Sequence, residues 1–117
     1  MVALKHISKR DARAIGAYEH LLLAKYPGRI KKLLLFGSKA RGEARHNSDV
    51  DILVVVARKT RKLRREIAAL THEPIVRFGV DLSPVTIAEH ELYKWSPFMA
   101  NIKKDSVVLW TAPKRDT

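Results

Sequence analysis

The sequence predicts an α/β (α+β) fold, a small mixed β-sheet with flanking helices, and three observations carry that prediction. Ile30–Phe36 and Asp49–Val56 are apolar runs of strand length, and Leu33-Leu34-Leu35-Phe36 lacks the polar alternation of a half-solvated strand. Helix-period segments separate these runs. The chain has 117 residues, 46% apolar and 30% charged, enough to bury one core but not two. We therefore expect one domain over residues 1–112 and a polar tail over 113–117.

The elements follow in order. Ser8 is placed to cap a first helix, with Asp11 at its third position, and Ile15, Tyr18, Leu22 and Tyr26 recur at helical spacing until Pro27-Gly28. The first strand, Ile30–Phe36, ends at Gly37-Ser38, and Lys39–Ala44 has room for two helical turns. Arg45-His46-Asn47-Ser48 is a polar connection into the second strand, Asp49–Val56. Arg58–Leu70 reads as a helix with Leu63, Ile67 and Leu70 on one side, and Pro74 forces a break or fresh start before Gly79. Val80–Val85 fits a third strand. Thr86 with Glu89 matches a capping box, Ser96-Pro97 matches an N-cap followed by a first-position proline, and Val107–Trp110 is the last strand.

With 23 Lys and Arg against 12 Asp and Glu, the formal net charge is +11, which favours a polyanionic or acidic partner without naming it. No cysteine is present, so disulfides, thiolate zinc sites, iron–sulfur clusters and cysteine nucleophiles are excluded together. No apolar run approaches the roughly 20 residues of a membrane helix, and Met1–His6 lacks the apolar stretch of a signal peptide, so no membrane partner and a cytoplasmic location are expected.

The chemistry is concentrated in Phe36-Gly37-Ser38-Lys39-Ala40-Arg41-Gly42 and Ser48-Asp49-Val50-Asp51. Strand side chains alternate, so Asp49 and Asp51 share a face on which two like charges repel unless a cation neutralises them. Hard carboxylate oxygens suit Mg²⁺ or Mn²⁺. A bare Asp-x-Asp is more often a solvated strand start. The neighbouring Gly37-Ser38 turn changes that weighting, because it leaves a strand, opens a helix and can offer backbone N–H groups to an anion. Ser38 adds a hydroxyl, and Lys39 and Arg41 add positive charge within a turn. The turn is not a P-loop: Gly37 and Gly42 have the glycine spacing, but Glu43-Ala44 stand where Lys and Ser/Thr are required.

Gly37-Ser38, ten residues, then Asp49-Val50-Asp51 resembles the signature of the polymerase-β-like nucleotidyltransferases, and the flanking residues resemble those of the minimal nucleotidyltransferases (MNT) found in HEPN/MNT toxin–antitoxin systems. The resemblance implies the polymerase-β-like fold, catalytic and metal-ligating roles for Asp49, Asp51 and Asp81, two Mg²⁺ ions, and nucleotide binding by Gly37, Ser38, Lys39 and Arg41. Asp81, in Gly79-Val80-Asp81-Leu82, is placed for the third carboxylate of such folds, though a lone Asp also suits a turn. The implied activity transfers AMP from ATP to a tyrosine hydroxyl of a HEPN ribonuclease toxin, with this chain as the antitoxin. A chain this small is expected to draw its acceptor surface from a protein partner. Two alternatives stay open: a catalytically weak nucleotide-binding module acting by complex formation, and transfer to an RNA end.

Arg58, Lys59, Arg61, Lys62, Arg64 and Arg65 place six cations in eight residues, either a solvated helix face or a contact for a partner or RNA. The histidines His6, His20, His46, His72 and His90 have no zinc-ligand spacing, and no nucleophile elbow surrounds Ser38 to support a hydrolase triad. Tyr93, Trp95, Phe98 and Trp110 are expected in the core and its rim, an exposed member marking an interface.

Overall fold

The computed structural model describes residues 7–43 and 48–114. Its elements are α1 (Lys9–Lys25), β1 (Ile30–Phe36), α2 (Ser38–Arg41), β2 (Val50–Val56), α3 (Arg61–Ala69), α4 (His72–Phe78), β3 (Leu82–Ala88), α5 (Glu89–Leu92), α6 (Pro97–Asp105) and β4 (Val107–Thr111). The strands form one mixed sheet in the order β3-β2-β1-β4, with β1 antiparallel to β2 and β4 and with β2 parallel to β3. The strand-to-strand crossover from β2 to β3 is supplied by α3 and α4.

Both sheet faces are covered, which is why β1 and β2 lack polar alternation. On one face Leu33, Leu35, Ile52 and Val54 pack with Ile15, Tyr18 and Leu22 of α1 and Leu63 and Ile67 of α3. On the other, Leu34, Leu53, Val55 and Ile87 pack with Leu92 of α5 and Met99 and Ile102 of α6. Two tyrosines tie α1 to α3: Tyr18 donates to the Ile67 carbonyl at 2.7 Å, and Tyr26 donates to Glu66 Oε1 at 2.6 Å. Burial and the Glu66 bond push the Tyr26 phenol up to about 12.

The capping expectations at both ends of the chain hold. Ser8 Oγ accepts from the Asp11 N–H at 3.0 Å in a capping box, and Ser96 Oγ accepts from the Met99 N–H at 3.0 Å with Pro97 at the first helical position. Two helix expectations shift. The second helix is a single turn closed by Gly42 in the left-handed conformation, and Ala44–Asn47 lie outside the described residues. Thr60, whose hydroxyl accepts from the Leu63 N–H, starts α3 at Arg61, so Arg58 and Lys59 precede the helix. The fresh start expected at Pro74 is present: the proline sits in the first turn of α4, where a missing N–H costs nothing.

The third strand runs later than predicted. Leu82–Ala88 pairs along its whole length with Val50–Val56, which places Thr86 inside the strand and removes it as a cap. The Glu91 carboxylate instead accepts from the Ala88 N–H, at 3.3 Å. Pro84 is tolerated because β3 is an edge strand. The aromatic expectation is corrected as well: Tyr93 and Trp95 are 74% and 81% exposed, while Phe98 is half-exposed against Phe36. Among the described residues no helix is long and apolar enough to cross a membrane.

The Tyr18 bond joins two helices across the core, so its removal reports on their docking. Tyr18→Phe strands the buried Ile67 carbonyl and is expected to lower stability by about 1–2 kcal/mol. An unchanged urea midpoint would show that the bond contributes nothing net.

Candidate active site

The antiparallel register pairs Phe36, the last residue of β1, with Asp51 in β2. The chain leaving β1 must therefore turn beside a carboxylate. Gly37 makes that turn at φ 79° and ψ −160°, a region open essentially to glycine alone. A Cβ at this position would overlap Asp51 Oδ2. Two separate constraints, backbone conformation and contact, thus require glycine here.

The turn continues directly into α2. Its intrahelical bonds begin with the Ala40 and Arg41 N–H groups, which donate to the Gly37 carbonyl at 3.1 and 3.2 Å. The N–H groups of Ser38 and Lys39 precede them and have no acceptor within the turn's helical ladder. They are the backbone donors that a phosphate arriving at Gly37 would meet.

Asp49 and Asp51 share the sheet face of Leu53 and Val55. Asp49 is exposed just before β2 and accepts from the Ser83 hydroxyl at 3.2 Å, while Asp51 is half-buried and lies opposite Ser83 in the parallel pair. Burial first, and the Asp49 charge second, push the Asp51 carboxyl up from its ordinary value, with Arg41 pulling the other way. Asp81 is exposed immediately before β3, and its carbonyl accepts from the Val50 N–H at 2.8 Å. This bond anchors the start of β3 beside the start of β2.

The Asp49–Asp51 pair fits a divalent cation: hard oxygens share one face, and burial, with the Asp49 charge added to it, raises the Asp51 pKa in the protein alone. Among the described residues, no group of three or more His, Cys, Asp or Glu is gathered closely enough to hold a metal, so Asp81 stands apart from a preformed triad.

Lys39 departs from its expected role. Its ammonium is buried and donates to Asp11 Oδ2 at 2.8 Å, the same oxygen that takes the Ser8 N–H at 3.4 Å. This correction follows from the cap of α1: the Asp11 carboxylate is held 5% exposed, and among the described residues the Lys39 ammonium is the cation paired with it. Sequence spacing showed both residues but not that they meet. Arg41 remains at the site, 40% exposed at its side chain and held by Glu43 at 3.0 Å.

The structure also places the Arg58–Arg65 cluster away from this site. Asp51 is near the start of β2 and Arg58 follows its end, a separation of roughly 15–20 Å along the strand direction. Lys59 pairs with Glu91 at 2.9 Å and Lys62 lies 3.9 Å from Glu66. Sequence reasoning missed Phe98, Asn101 and Asp105, which with Phe36, Gly37 and Arg41 line a cleft of about 250 Å³ beside the turn. Their stripe along α6 was readable as a helical face, but not what it faced.

Comparison with known proteins follows from this geometry. A family profile described as nucleotidyltransferase domain matches residues 19–109. A Methanocaldococcus jannaschii chain provisionally named a protein adenylyltransferase is 33% identical over 103 residues, spanning 86% of this chain and 98% of its own. A toxin–antitoxin structure with AMP-PNP superposes with a TM-score of 0.57 at 21% identity, covering 90% of this chain and 75% of that one. A tri-AMPylated Shewanella oneidensis HEPN toxin in complex with MNT antitoxin gives 0.55 at 20% identity, covering 88% and 73%. At these identities the two structures share the fold.

Two outcomes test the site's construction. Lys39→Met leaves the Asp11 carboxylate buried without its partner and is expected to cost about 3 kcal/mol in urea unfolding. A loss below about 0.5 kcal/mol would place the pair among inconsequential surface bridges. For Asp51, a raised folded-state pKa means that the ionised carboxylate disfavours the fold. In divalent-free buffer Asp51→Asn is therefore expected to raise the melting temperature at neutral pH. That gain shrinks as pH falls through the raised pKa and is absent below the unfolded value of about 4. A pH-independent gain would assign the effect to something other than charge.

Proposed function

This chain belongs to the nucleotidyltransferase domain family and is a nucleotidyltransferase, and from that premise we propose that it is an antitoxin that transfers AMP from ATP, with Mg²⁺, to a tyrosine hydroxyl of a HEPN ribonuclease toxin. The observation that carries the reading is the contact between the Gly37 turn and the Asp51 carboxylate, which sets a phosphate-binding backbone against a cation-binding pair. The protein adenylyltransferase name of the Methanocaldococcus jannaschii relative supports a protein acceptor. The AMPylated HEPN toxin in the Shewanella oneidensis complex supports the toxin class.

In this reading the Gly37-Ser38 turn holds the triphosphate through the Ser38 and Lys39 backbone N–H groups and the Ser38 hydroxyl, and Arg41 adds charge. Asp49 and Asp51 would hold Mg²⁺, with Asp81 as a third donor from the β3 side. Bound Mg²⁺ supplies charge neutralisation of the triphosphate and of the two carboxylates. The tyrosine oxygen bonds to the α-phosphorus as the bond from that phosphorus to the oxygen bridging to the β-phosphate breaks. Pyrophosphate leaves, and the hydroxyl proton passes to Asp81. The Lys39 side chain acts through position, by locking α2 onto α1.

Incubation with a HEPN toxin, taken from the neighbouring gene where one is encoded there, and ATP labelled at either the α or the γ position tests this. Label from the α position is expected on the protein and label from the γ position is not, with Asp49→Ala/Asp51→Ala reducing transfer at least about 100-fold. Label on RNA would move the acceptor to a nucleic-acid end. Tight complex formation without label would identify a binding module.

A further inference from the structure

The cleft beside the Gly37 turn has a composition that the phosphate chemistry does not account for. Its floor is Phe36, whose ring meets that of Phe98 edge-on at 6.1 Å and 84°. Its outer wall is α6, where Phe98, Asn101, Ile102 and Asp105 recur at i, i+3, i+4 and i+7, one helical stripe. Its inner wall is Gly37 and Arg41 of the phosphate turn. At about 250 Å³ it is smaller than the roughly 300–1,000 Å³ of a site for a drug-sized ligand, so its scale is that of one ring system.

Position along the sheet decides which substrate enters it. The carboxylates open β2. Ser83, which bonds Asp49, and Asp81 lie on the β3 side, whereas the cleft lies on the β1 side, under the helix that leads into β4. Since the phosphate turn is itself one wall, the occupant is part of the nucleotide rather than the acceptor. Chemistry decides which part. A triphosphate tail would face the Asp105 carboxylate and two aromatic rings, with a single cation, Arg41, already paired to Glu43. A flat neutral heterocycle instead meets ring edges and Ile102, plus a carboxylate and an amide one helical turn apart.

We propose that this cleft is the nucleobase site, that Phe98 packs against the base, and that Asp105 accepts a hydrogen bond from the base's exocyclic amine, selecting bases that carry one. The assignment rests on the nucleotidyl-transfer reading above, and it names specificity residues within that reading. A carboxylate is acceptor-only when ionised, so it rewards a base with an amino group and is left facing a carbonyl by one without.

The test compares ATP with ITP, which differ at that group. Wild type in isothermal titration without an acceptor is expected to bind ATP at least about tenfold more tightly than ITP. Asp105→Asn is expected to bring that ratio close to 1. Phe98→Ala is expected to weaken both about tenfold through lost packing, with the drop appearing in KM rather than kcat where turnover is measured. Melting curves of each variant, and the milder Phe98→Leu, separate this loss from misfolding. Equal use of ATP and ITP by the wild type, or an intact preference in Asp105→Asn, overturns the proposal. If ATP binds with Asp105-dependent preference but no protein is labelled, the acceptor reading fails and the base site stands. If labelling persists with base preference untouched in both variants, the base site fails alone, and absence of all nucleotide binding overturns both.

Discussion

The backbone of Gly37 lies against the carboxylate of Asp51, and the site depends on that closeness. It is imposed by register: the antiparallel pairing that aligns Phe36 with Asp51 also aligns Leu33 with Val54 and Leu35 with Ile52, residues whose side chains fill one core. A slip of one residue in β2 would carry Asp51 to the opposite sheet face, beside Leu33 and Leu35, and move Ile52 and Val54 out of the core they fill there. Because both faces are covered, the sheet cannot tolerate the slip, so the same apolar packing that stabilises the fold fixes the distance between the Gly37 turn and the acidic pair.

Charge is arranged around that contact with little redundancy. Of the two cations that the sequence places after Ser38, Lys39 is consumed by the Asp11 carboxylate in the interior, so that α2 is locked to the capped end of α1. Arg41 is left, exposed and shared with Glu43, and its attraction does not offset burial and the Asp49 charge at Asp51. The pair therefore stays electrostatically under-compensated in the protein alone. That is the condition in which a divalent cation binds with the largest relief of repulsion.

Legibility from sequence follows the physics of each element. The strand bounds of β1 and the caps at Ser8 and Ser96 were readable because each rests on local rules: an apolar run, or a hydroxyl three residues before an acceptable N–H. The later start of β3 was not, because its ends are set by hydrogen bonding to β2 and not by its own composition. At the site, Gly37, Asp49 and Asp51 were legible from spacing. The burial of Lys39 against Asp11 and the facing of α6 toward Phe36 are contacts between residues 28 and 62 positions apart, which no local pattern encodes.

The mixed topology explains how so small a sheet brings three chain segments of the candidate site to one pair of carboxylates. Because β1 runs opposite to β2, its C-terminal end meets the start of β2; because β3 runs with β2, its start meets the same place. Three chain segments, the Gly37 turn, Asp49-Val50-Asp51 and Asp81, therefore converge on one sheet edge, with the acidic pair in the middle. An antiparallel third strand would have brought the Ala88 end there instead and sent Asp81 to the far side. The parallel pairing needs a crossover, and α3 with α4 provides it while packing the face opposite the carboxylates. The crossover thus lies on the face away from the acidic pair, while α6 covers their β1 side and lines the cleft against Phe36.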